Sequence, residues 1–293
     1  MAKFSEVRII YNPNSTGNSK SMALKLRREL KEVLTRTDIT CIPTKYAGHA
    51  RELAAEIAKK SARPLIISSS GDGGYNEVIN GYMDAGNSRA VCAVLPAGNA
   101  NDHSRTMQDN SLLQQIQKGT VSQLDLLKVT VIAADEVTTR YAHSYAGLGI
   151  TPVIGAELNR HEFNRFNEII LALKTFQKLK PFKINRNGKV LKLDSLIFGN
   201  INQMAKVLTI APENNPDDGM FEVVAFKSGS KRKLLKRLAK AAVMNLTSQK
   251  TMKVYKFKTI KKIPMQLDGE IIKLPADSLV TVESSHKALA TII

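Results

Sequence analysis

The feature that most constrains the fold is a regular alternation of strand and helix patterns over the first 125 residues. Short apolar runs typical of strands lie at residues 7–11, 38–43, 64–69 and 91–95, and helical spacing of apolar residues predicts helices at 20–34, around 50–58 and at 75–83. Such an alternation favours an open, mostly parallel sheet with helices on both faces. We therefore predict a doubly wound α/β domain in residues 1–125.

After Asp125 the pattern changes to a series of β segments. Strands are predicted at 126–133, 140–147, 182–185, 190–198, 220–226, 253–259 and 265–267, interrupted by helical stretches at 156–179 and 231–245. Residues 126–278 are thus predicted to form a second, antiparallel β-rich domain, a β-sandwich. The tail, 279–293, is predicted to form strands that join either the second domain or the first. The predicted fold class is α/β with two domains.

The composition limits the classes of molecule that the protein is expected to bind. The chain has 293 residues, 43% of them hydrophobic, and a net charge of +17, which implies a polyanionic partner. Residues 227–262 hold thirteen Lys or Arg and no Asp or Glu, and 231–240 has the pattern of a basic amphipathic helix. Peripheral binding to an anionic membrane surface is one interpretation of this segment, and a solvated basic face is the other. The few, scattered aromatic residues offer no surface on which successive bases could stack, which disfavours nucleic acid.

The same sequence suggests where the protein acts. No apolar run approaches the roughly 20 residues that a spanning helix needs, and residues 1–10 lack the charged segment and apolar core of a signal peptide. We expect a cytoplasmic protein that acts peripherally at the inner face of the membrane. Monomer and homo-oligomer both remain open.

The strongest local signal is a glycine-dense turn between a predicted strand and a predicted helix. Residues 70–74 read Ser-Gly-Asp-Gly-Gly. Glycines let the main chain approach an anion, and a helix N-terminus favours phosphate. Asp72 within such a turn would repel phosphate unless a cation intervenes, so it indicates Mg²⁺ held between carboxylate and phosphates. A plain turn without a ligand is the alternative, because the same residues form tight turns.

Two further polar turns follow strands at the same predicted sheet edge. One is residues 95–102, Leu-Pro-Ala-Gly-Asn-Ala-Asn-Asp, and the other is residues 12–17, Asn-Pro-Asn-Ser-Thr-Gly. In open α/β sheets ligands bind at the carboxyl ends of the strands. Asp72 and Asp102 are therefore predicted to converge on one site for a metal and a nucleotide.

These turns resemble the motifs of a known family. Residues 70–81 are similar to the Gly-Gly-Asp-Gly-Thr…Asn-Glu signature of diacylglycerol kinases, sphingosine kinases and related bacterial lipid kinases, residues 96–102 to their Pro-x-Gly-Thr-x-Asn-Asp block, and 12–17 to their Asn-Pro-x-Ser-Gly opening. Asp125 within 123–126, Asp217-Asp218-Gly219 and Asp268-Gly269-Glu270 continue the match in family order. The resemblance thus spans nearly the whole chain and implies an ATP- and Mg²⁺-dependent kinase of a membrane lipid, most commonly diacylglycerol.

The resemblance also implies roles for individual residues. Asp72, Asp102 and Asp125 would organise the catalytic Mg²⁺, and Glu270, beside Asp268, would accept the proton of the lipid hydroxyl. The alternative for Asp268-Gly269-Glu270 is an ordinary hairpin turn. The ATP-site residues implied are Asn12, Pro13, Asn14, Ser15, Thr16, Thr44, Gly71, Asp72, Gly73, Gly74, Asn76, Glu77, Gly98 and Asn99. A structural Mg²⁺ is implied at Asp218 and the main-chain carbonyls of Asn215 and Met220, with a metal-free loop as the alternative.

The sequence departs from the family pattern at three positions. Gly74 and Asn99 stand where the family has Thr, which predicts that two hydroxyls near the phosphates are absent, and Ser70 replaces the first Gly. The acidic residues are intact, so we expect an active kinase. A kinase of a soluble acceptor, as in NAD kinases, and a degenerate homologue that binds lipid or anions without turnover are the alternatives, and the basic segment favours lipid.

Overall fold

The computed structural model describes residues 4–15, 17–98, 101–107, 111–149, 151–152, 180–201, 203–204, 208–209, 215–229 and 250–293. It divides the chain into two compact units, one made of Met1–Leu124 and Lys287–Ile293 and the other of Asp125–His286. The predicted helices 156–179 and 231–245 lie outside the described residues. Within the described ranges, no helix combines the length and the apolar character that crossing a bilayer requires.

The first unit is built on a parallel sheet. Its strands are β1 (Glu6–Tyr11), β2 (Asp38–Pro43), β3 (Pro64–Ser70) and β4 (Val91–Pro96), and its helices are α1 (Ser19–Val33), α2 (His49–Lys60), α3 (Asp72–Ala85), α4 (Asp102–Met107) and α5 (Leu112–Lys118). The strands pair in the order β2-β1-β3-β4. All seven residues of β3 are buried, as expected of a central strand covered on both faces.

Helices cover both faces of this sheet. Buried residues of α1 and α5, such as Leu26, Leu30 and Ile116, share one apolar core with the strand residues Ile9 and Ile67. Helices α2 and α3 pack on each other and contact β3, where the intervening Ile66 is also fully buried. Because side chains alternate along a strand, the two helix pairs lie on opposite faces. The predicted doubly wound α/β fold is confirmed.

The second unit is antiparallel and β-rich, as predicted. Its strands are β5 (Ser122–Ala133), β6 (Glu136–Ala142), β7 (Tyr145–Leu148), β8 (Phe182–Arg186), β9 (Lys189–Gly199), β10 (Gln203–Met204), β11 (Leu208–Thr209), β12 (Phe221–Lys227), β13 (Lys250–Met252), β14 (Val254–Thr259), β15 (Ile263–Leu267), β16 (Glu270–Leu274) and β17 (Leu279–Thr291). The long strand β9 pairs with β12 along one edge and with β8 and β7 along the other. One apolar core, which includes Phe198, Phe221 and Tyr255, fills this unit.

Three details differ from the sequence-based expectation. The single strand predicted at 140–147 is two strands, β6 and β7, because the backbone N–H groups of His143 and Ser144 donate to the Asp268 carboxylate instead of to a neighbouring strand. Helices α4 and α5 and strands β10, β11, β13 and β16 were not predicted. The tail forms one strand, β17, which pairs with β14 through residues 279–283 and with Cys92 of β4 through Thr291.

Candidate nucleotide and phosphoryl-transfer site

The three polar turns of the first unit meet at one edge of the parallel sheet. The Ser15 hydroxyl donates to the Ala97 carbonyl oxygen at 3.3 Å, and the Ala97 N–H donates to the Ser70 carbonyl oxygen at 2.9 Å. The turns after β3 and β4 touch directly, since a Cβ atom on Gly98 would lie 2.4 Å from the Cα of Gly71. Only glycine at residue 98 permits this approach. The structure thus brings together the three turns that the sequence singled out.

A cavity of about 390 Å³ opens at this edge. Its volume lies within the range of about 300–1,000 Å³ that is usual for ligand pockets. Seven residues expected at the ATP site line it: Asn12, Asn14, Ser15, Thr44, Gly71, Gly74 and Glu77. Its lining does not include Pro13, Asp72, Gly73, Asn76 or Gly98 among the described residues, while Thr16 and Asn99 lie outside them.

Sequence reasoning missed part of the lining. The additional residues are Ile10, Tyr11, Lys45, Tyr46, Ala47, Ala50, Ser68 and Ser70. Several come from the segment that joins β2 to α2, which begins at Thr44. This segment also follows the carboxyl end of a parallel strand, so the rule that placed the other three turns could have found it.

Asp72 and the start of α4, where Asp102 lies, are in direct contact. The Asp72 carboxylate accepts the N–H groups of Asp102 and His103 at 3.1 and 3.2 Å and so caps the start of α4. Asp102 is fully buried and forms an ion pair with Arg105. Asp72 therefore has a structural role at the junction of two turns in addition to the predicted one.

The residues present fit a Mg²⁺ ion that is shared with a ligand. In the part of the chain that the structure describes, no group of three or more His, Cys, Asp or Glu side chains is arranged to hold a metal by itself. Mg²⁺ is usually bound through one or two carboxylates together with substrate phosphates and water. The carboxylate of Asp72, which lies against the backbone N–H of Asp102, and that of Asp102 itself would supply the protein part of such a site.

Glu77 shapes the cavity from helix α3. Its two carboxylate oxygens accept the N–H groups of Gly48 and Ala50 at 2.9 and 3.1 Å. These donors lie at the first turn of α2, where backbone N–H groups otherwise lack partners. Glu77 therefore fixes α2 beside the cavity and occupies the N-terminus of that helix with a protein carboxylate.

Ser70 explains the missing side chain at residue 74. A Cβ atom on Gly74 would lie 2.6 Å from the Ser70 hydroxyl oxygen, which is too close for any side chain. The Ser70 hydroxyl is 2.7 Å from that of Ser68, and both serines line the cavity. The expectation that a hydroxyl is lost here is corrected, because Ser70 brings one to the space that a residue 74 side chain would enter.

In the second unit, Asp268 and Gly269 form a two-residue hairpin turn. Both have positive φ angles, 46° and 99°, and Leu267 pairs with Glu270 across the turn, as in a type I′ hairpin. The Asp268 carboxylate is fully buried and accepts the N–H groups of His143, Ser144 and Tyr145 at 2.5 to 3.0 Å. Glu270, at the start of β16, remains partly accessible. The hairpin and a chemical role for Glu270 are thus compatible, while Asp268 acts by holding backbone.

Asp125 organises a loop of the second unit. Its buried carboxylate accepts the Gly219 N–H at 2.5 Å and lies 2.9 Å from Nδ1 of His286, and its own N–H donates to the Pro216 carbonyl oxygen. These contacts fix the loop that contains Asn215, Asp218 and Met220, the residues expected to hold a structural Mg²⁺.

Charges beside this loop suit a cation. Glu222 is only 6% exposed, and its burial, together with the negative charge of Asp218, raises its pKa to about 7. The Asp218 carboxylate accepts the Met220 N–H at 2.8 Å, which keeps it on the loop. A bound Mg²⁺ would relieve the repulsion between these two neighbouring carboxylates.

Comparisons with known proteins relate the chain to diacylglycerol kinases. Residues 6–129 match the family described as the diacylglycerol kinase catalytic domain. A diacylglycerol kinase of Staphylococcus aureus (strain bovine RF122 / ET3-1) is 26% identical over an alignment that covers 93% of this chain and 88% of that protein. One of Staphylococcus haemolyticus (strain JCSC1435) is also 26% identical, over 93% of this chain and 84% of that protein.

A solved structure shares the fold. The crystal structure of a diacylglycerol kinase from Bacillus anthracis str. Sterne has a TM-score of 0.72 at 20% sequence identity, and the match covers 100% of this chain and 98% of that chain. The resemblance that the motifs indicated is therefore confirmed, and the family match and the relatives indicate an enzyme, a lipid kinase of the diacylglycerol kinase type.

Proposed function

We propose that this protein is an ATP- and Mg²⁺-dependent kinase that transfers the γ-phosphate of ATP to the hydroxyl of a membrane lipid, with diacylglycerol as the substrate. The observation that carries the proposal is the cavity of the first unit, which is lined by a glycine-dense turn and two serines, next to the turn residue Asp72, whose carboxylate accepts the Asp102 N–H. The name of the Staphylococcus relatives supports diacylglycerol as the lipid.

The first domain, residues 1–125, would bind the nucleotide. Backbone N–H groups of the turn at Gly71 and the start of α3 would donate to phosphate oxygens, since helix N-termini favour anions. Asp72 and Asp102 would hold Mg²⁺, which supplies neutralisation of the charge on the phosphates. The family resemblance implies that Asp125 also helps to organise this Mg²⁺ through water.

The second domain, residues 126–278, would bind the lipid. Glu270 would accept the proton of the lipid hydroxyl, because an alcohol is a weak nucleophile at neutral pH and a carboxylate within hydrogen-bond reach assists its attack. Asp268 would keep the hairpin that carries Glu270 in place by holding residues 143–145.

Phosphate transfer from radiolabelled ATP to vesicles that contain diacylglycerol tests the proposal. We expect labelled lipid with Mg²⁺ and none with EDTA. Asp72→Asn should abolish most of the transfer, since it removes charge next to the metal, while its circular dichroism stays that of the wild type. Asp135→Asn, at an exposed turn between β5 and β6, is the matched control and should be fully active.

The outcomes separate the alternatives. Phosphorylation of NAD but not of lipid would favour a soluble acceptor. ATP binding without any consumption, in the wild type, would identify a binding-only homologue. Undiminished transfer by Asp72→Asn would contradict the role proposed for the metal site.

We also propose that the protein reaches its substrate by binding anionic bilayers reversibly from the cytoplasmic side. Part of the basic segment 227–262, residues 230–249, lies outside the described residues. In the described part of β14, Lys256 and Lys258 are exposed and alternate with the buried Tyr255 and Phe257, so they line one solvent face. Each basic residue near an anionic surface contributes about 1 kcal/mol, and salt screens the attraction.

Vesicle co-sedimentation tests this binding. Replacing Lys231, Arg232, Lys233, Lys236 and Arg237 by Gln should release the protein from anionic vesicles and lower its activity on vesicle-borne lipid. Unchanged sedimentation at low salt would instead assign the segment to a solvated basic face.

A further inference from the structure

The cavity of the first unit has two chemically different ends. One end is formed by the glycine turn and the serines that follow β3, including Ser70 and Gly74. The other end is formed by residues that follow β2, including Tyr46 and Ala47. Strand β1 lies between β2 and β3, so the two ends are separated by two strand spacings, roughly 10 Å. A ligand that spans the cavity meets a phosphate-binding surface at one end and an aromatic side chain at the other.

Tyr46 is an exposed aromatic side chain that is nevertheless held in place. The residue is 54% exposed. Its hydroxyl donates to Oε2 of Glu52 at 2.5 Å, and its ring lies 4.7 Å from the ring of His49 with an angle of 31° between the planes. His49 is itself fixed, since its Nδ1 accepts the Lys45 N–H at 3.1 Å. The hydrogen bond to Glu52 raises the pKa of Tyr46, so the phenol stays protonated and keeps donating.

A ring fixed in this way loses little conformational freedom when a ligand packs on it. Preorganised aromatic side chains therefore bind flat, apolar groups efficiently. The β2 end of the cavity also disfavours the reverse orientation of a nucleotide. Glu77 already occupies the N-terminus of α2 with a carboxylate, so phosphates are repelled from the β2 end and attracted to the glycine turn.

We infer that the Tyr46 ring, supported by His49 and Glu52, is the stacking platform for the purine base of the nucleotide, with the phosphates directed to Gly71 and Gly74. The inference rests on the proposed function and specifies which residue reads the base end of its nucleotide. Tyr46 thereby decides whether the cavity prefers a nucleotide to a bare polyphosphate.

Calorimetric titration with two probes, ADP and inorganic tripolyphosphate, both with Mg²⁺, tests the platform. Because the stacking of a base on an aromatic ring contributes binding free energy, Tyr46→Ala should weaken ADP binding about 5- to 150-fold. The affinity for tripolyphosphate should not change, because that probe has no base. Tyr46→Phe keeps the ring and loses only the bond to Glu52, so it should retain most of the ADP affinity.

A matched control is Leu24→Ala, which removes another partly exposed apolar side chain from α1, outside the cavity lining. It should bind both probes like the wild type. In steady-state assays Tyr46→Ala should raise KM for ATP and leave kcat nearly unchanged, as expected when an interaction is equal in the ground and transition states.

The proposed stacking on Tyr46 is refuted if Tyr46→Ala binds ADP like the wild type, or if it loses affinity for ADP and for tripolyphosphate to the same extent. Either result leaves the kinase proposal standing. Conversely, a selective loss of ADP affinity in a protein that phosphorylates no lipid would uphold the platform and refute only the kinase. Absence of ADP binding by the wild type would refute both.

Discussion

Replacing Asp268 by alanine should destabilise the second unit severely. The carboxylate has no exposed surface and accepts three backbone N–H groups, from His143, Ser144 and Tyr145. Nε2 of His143 also lies 3.4 Å from it. Removing the side chain leaves these buried donors without their acceptor, and the hairpin loses its link to the segment between β6 and β7.

The magnitude follows from the three donors. A hydrogen bond to a charged group contributes about 1.5–3 kcal/mol, so the simple sum is roughly 4–9 kcal/mol. Contributions from one network are not additive, and losses above about 4–5 kcal/mol are exceptional for single substitutions. We expect a loss of about 4 kcal/mol, a large share of the roughly 5–15 kcal/mol that stabilises a typical domain.

Urea unfolding followed by circular dichroism measures this loss. Asp268→Asn retains one acceptor oxygen and should lose about half as much. Asp135→Ala, at the exposed turn between β5 and β6, should change the stability by less than about 0.5 kcal/mol. Hydrogen exchange should quicken in residues 143–148 of Asp268→Asn. If Asp268→Ala lowers the free energy of unfolding by less than about 1 kcal/mol, the structural role is refuted, and a direct part of Asp268 in the reaction is favoured instead.

Three further predictions concern single sites. Glu270→Gln should lower kcat for lipid phosphorylation by about 10²- to 10⁴-fold and leave the Kd for ADP unchanged; equal losses in both would point to a purely structural hairpin. Glu222 has a folded pKa of about 7 against 4.5 in the unfolded chain, chiefly through burial, so its stabilising contribution is full below pH 4.5 and is lost as the pH rises through 7. Glu222→Gln should therefore raise Tm at pH 8 and not at pH 4, and an identical pH dependence of Tm in both proteins would contradict this. Gly74→Thr should cost about 1–3 kcal/mol in urea unfolding because its Cβ meets the Ser70 hydroxyl, and adding Ser70→Gly should restore stability; a double variant no more stable than Gly74→Thr would rule out that clash.

Much of the first unit was predictable because its signals are local. The strand 38–43 was predicted with the bounds that the structure has, and β1, β3 and β4 begin or end within one residue of their predicted positions. Apolar runs and helical spacing depend only on neighbouring residues. The short helices α4 and α5 were missed since neither is long enough to establish a clear periodicity.

The candidate site was likewise predicted only where its signals are local. The turns at 12–17, 70–74 and 95–102 were found because glycine and asparagine mark turns locally and strand ends meet at one edge of a parallel sheet. In the segment that joins β2 to α2 only Thr44 was expected at the site, since no Gly-Asp-Gly or Asn-Asp motif marks the residues around Tyr46 and their place in the cavity depends on the order β2-β1-β3.

The sequence by itself determined the alternation of elements, the position of the glycine-dense turn after β3 and the acidic residues beside it, because each depends on a few adjacent residues. Only the tertiary structure decided what those acids contact. Asp268 holds His143, 125 residues away, and Glu77 accepts the N–H of Gly48, 29 residues before it, at the start of α2. Such contacts depend on how distant elements pack, and a buried carboxylate takes whichever N–H groups the packing leaves without partners.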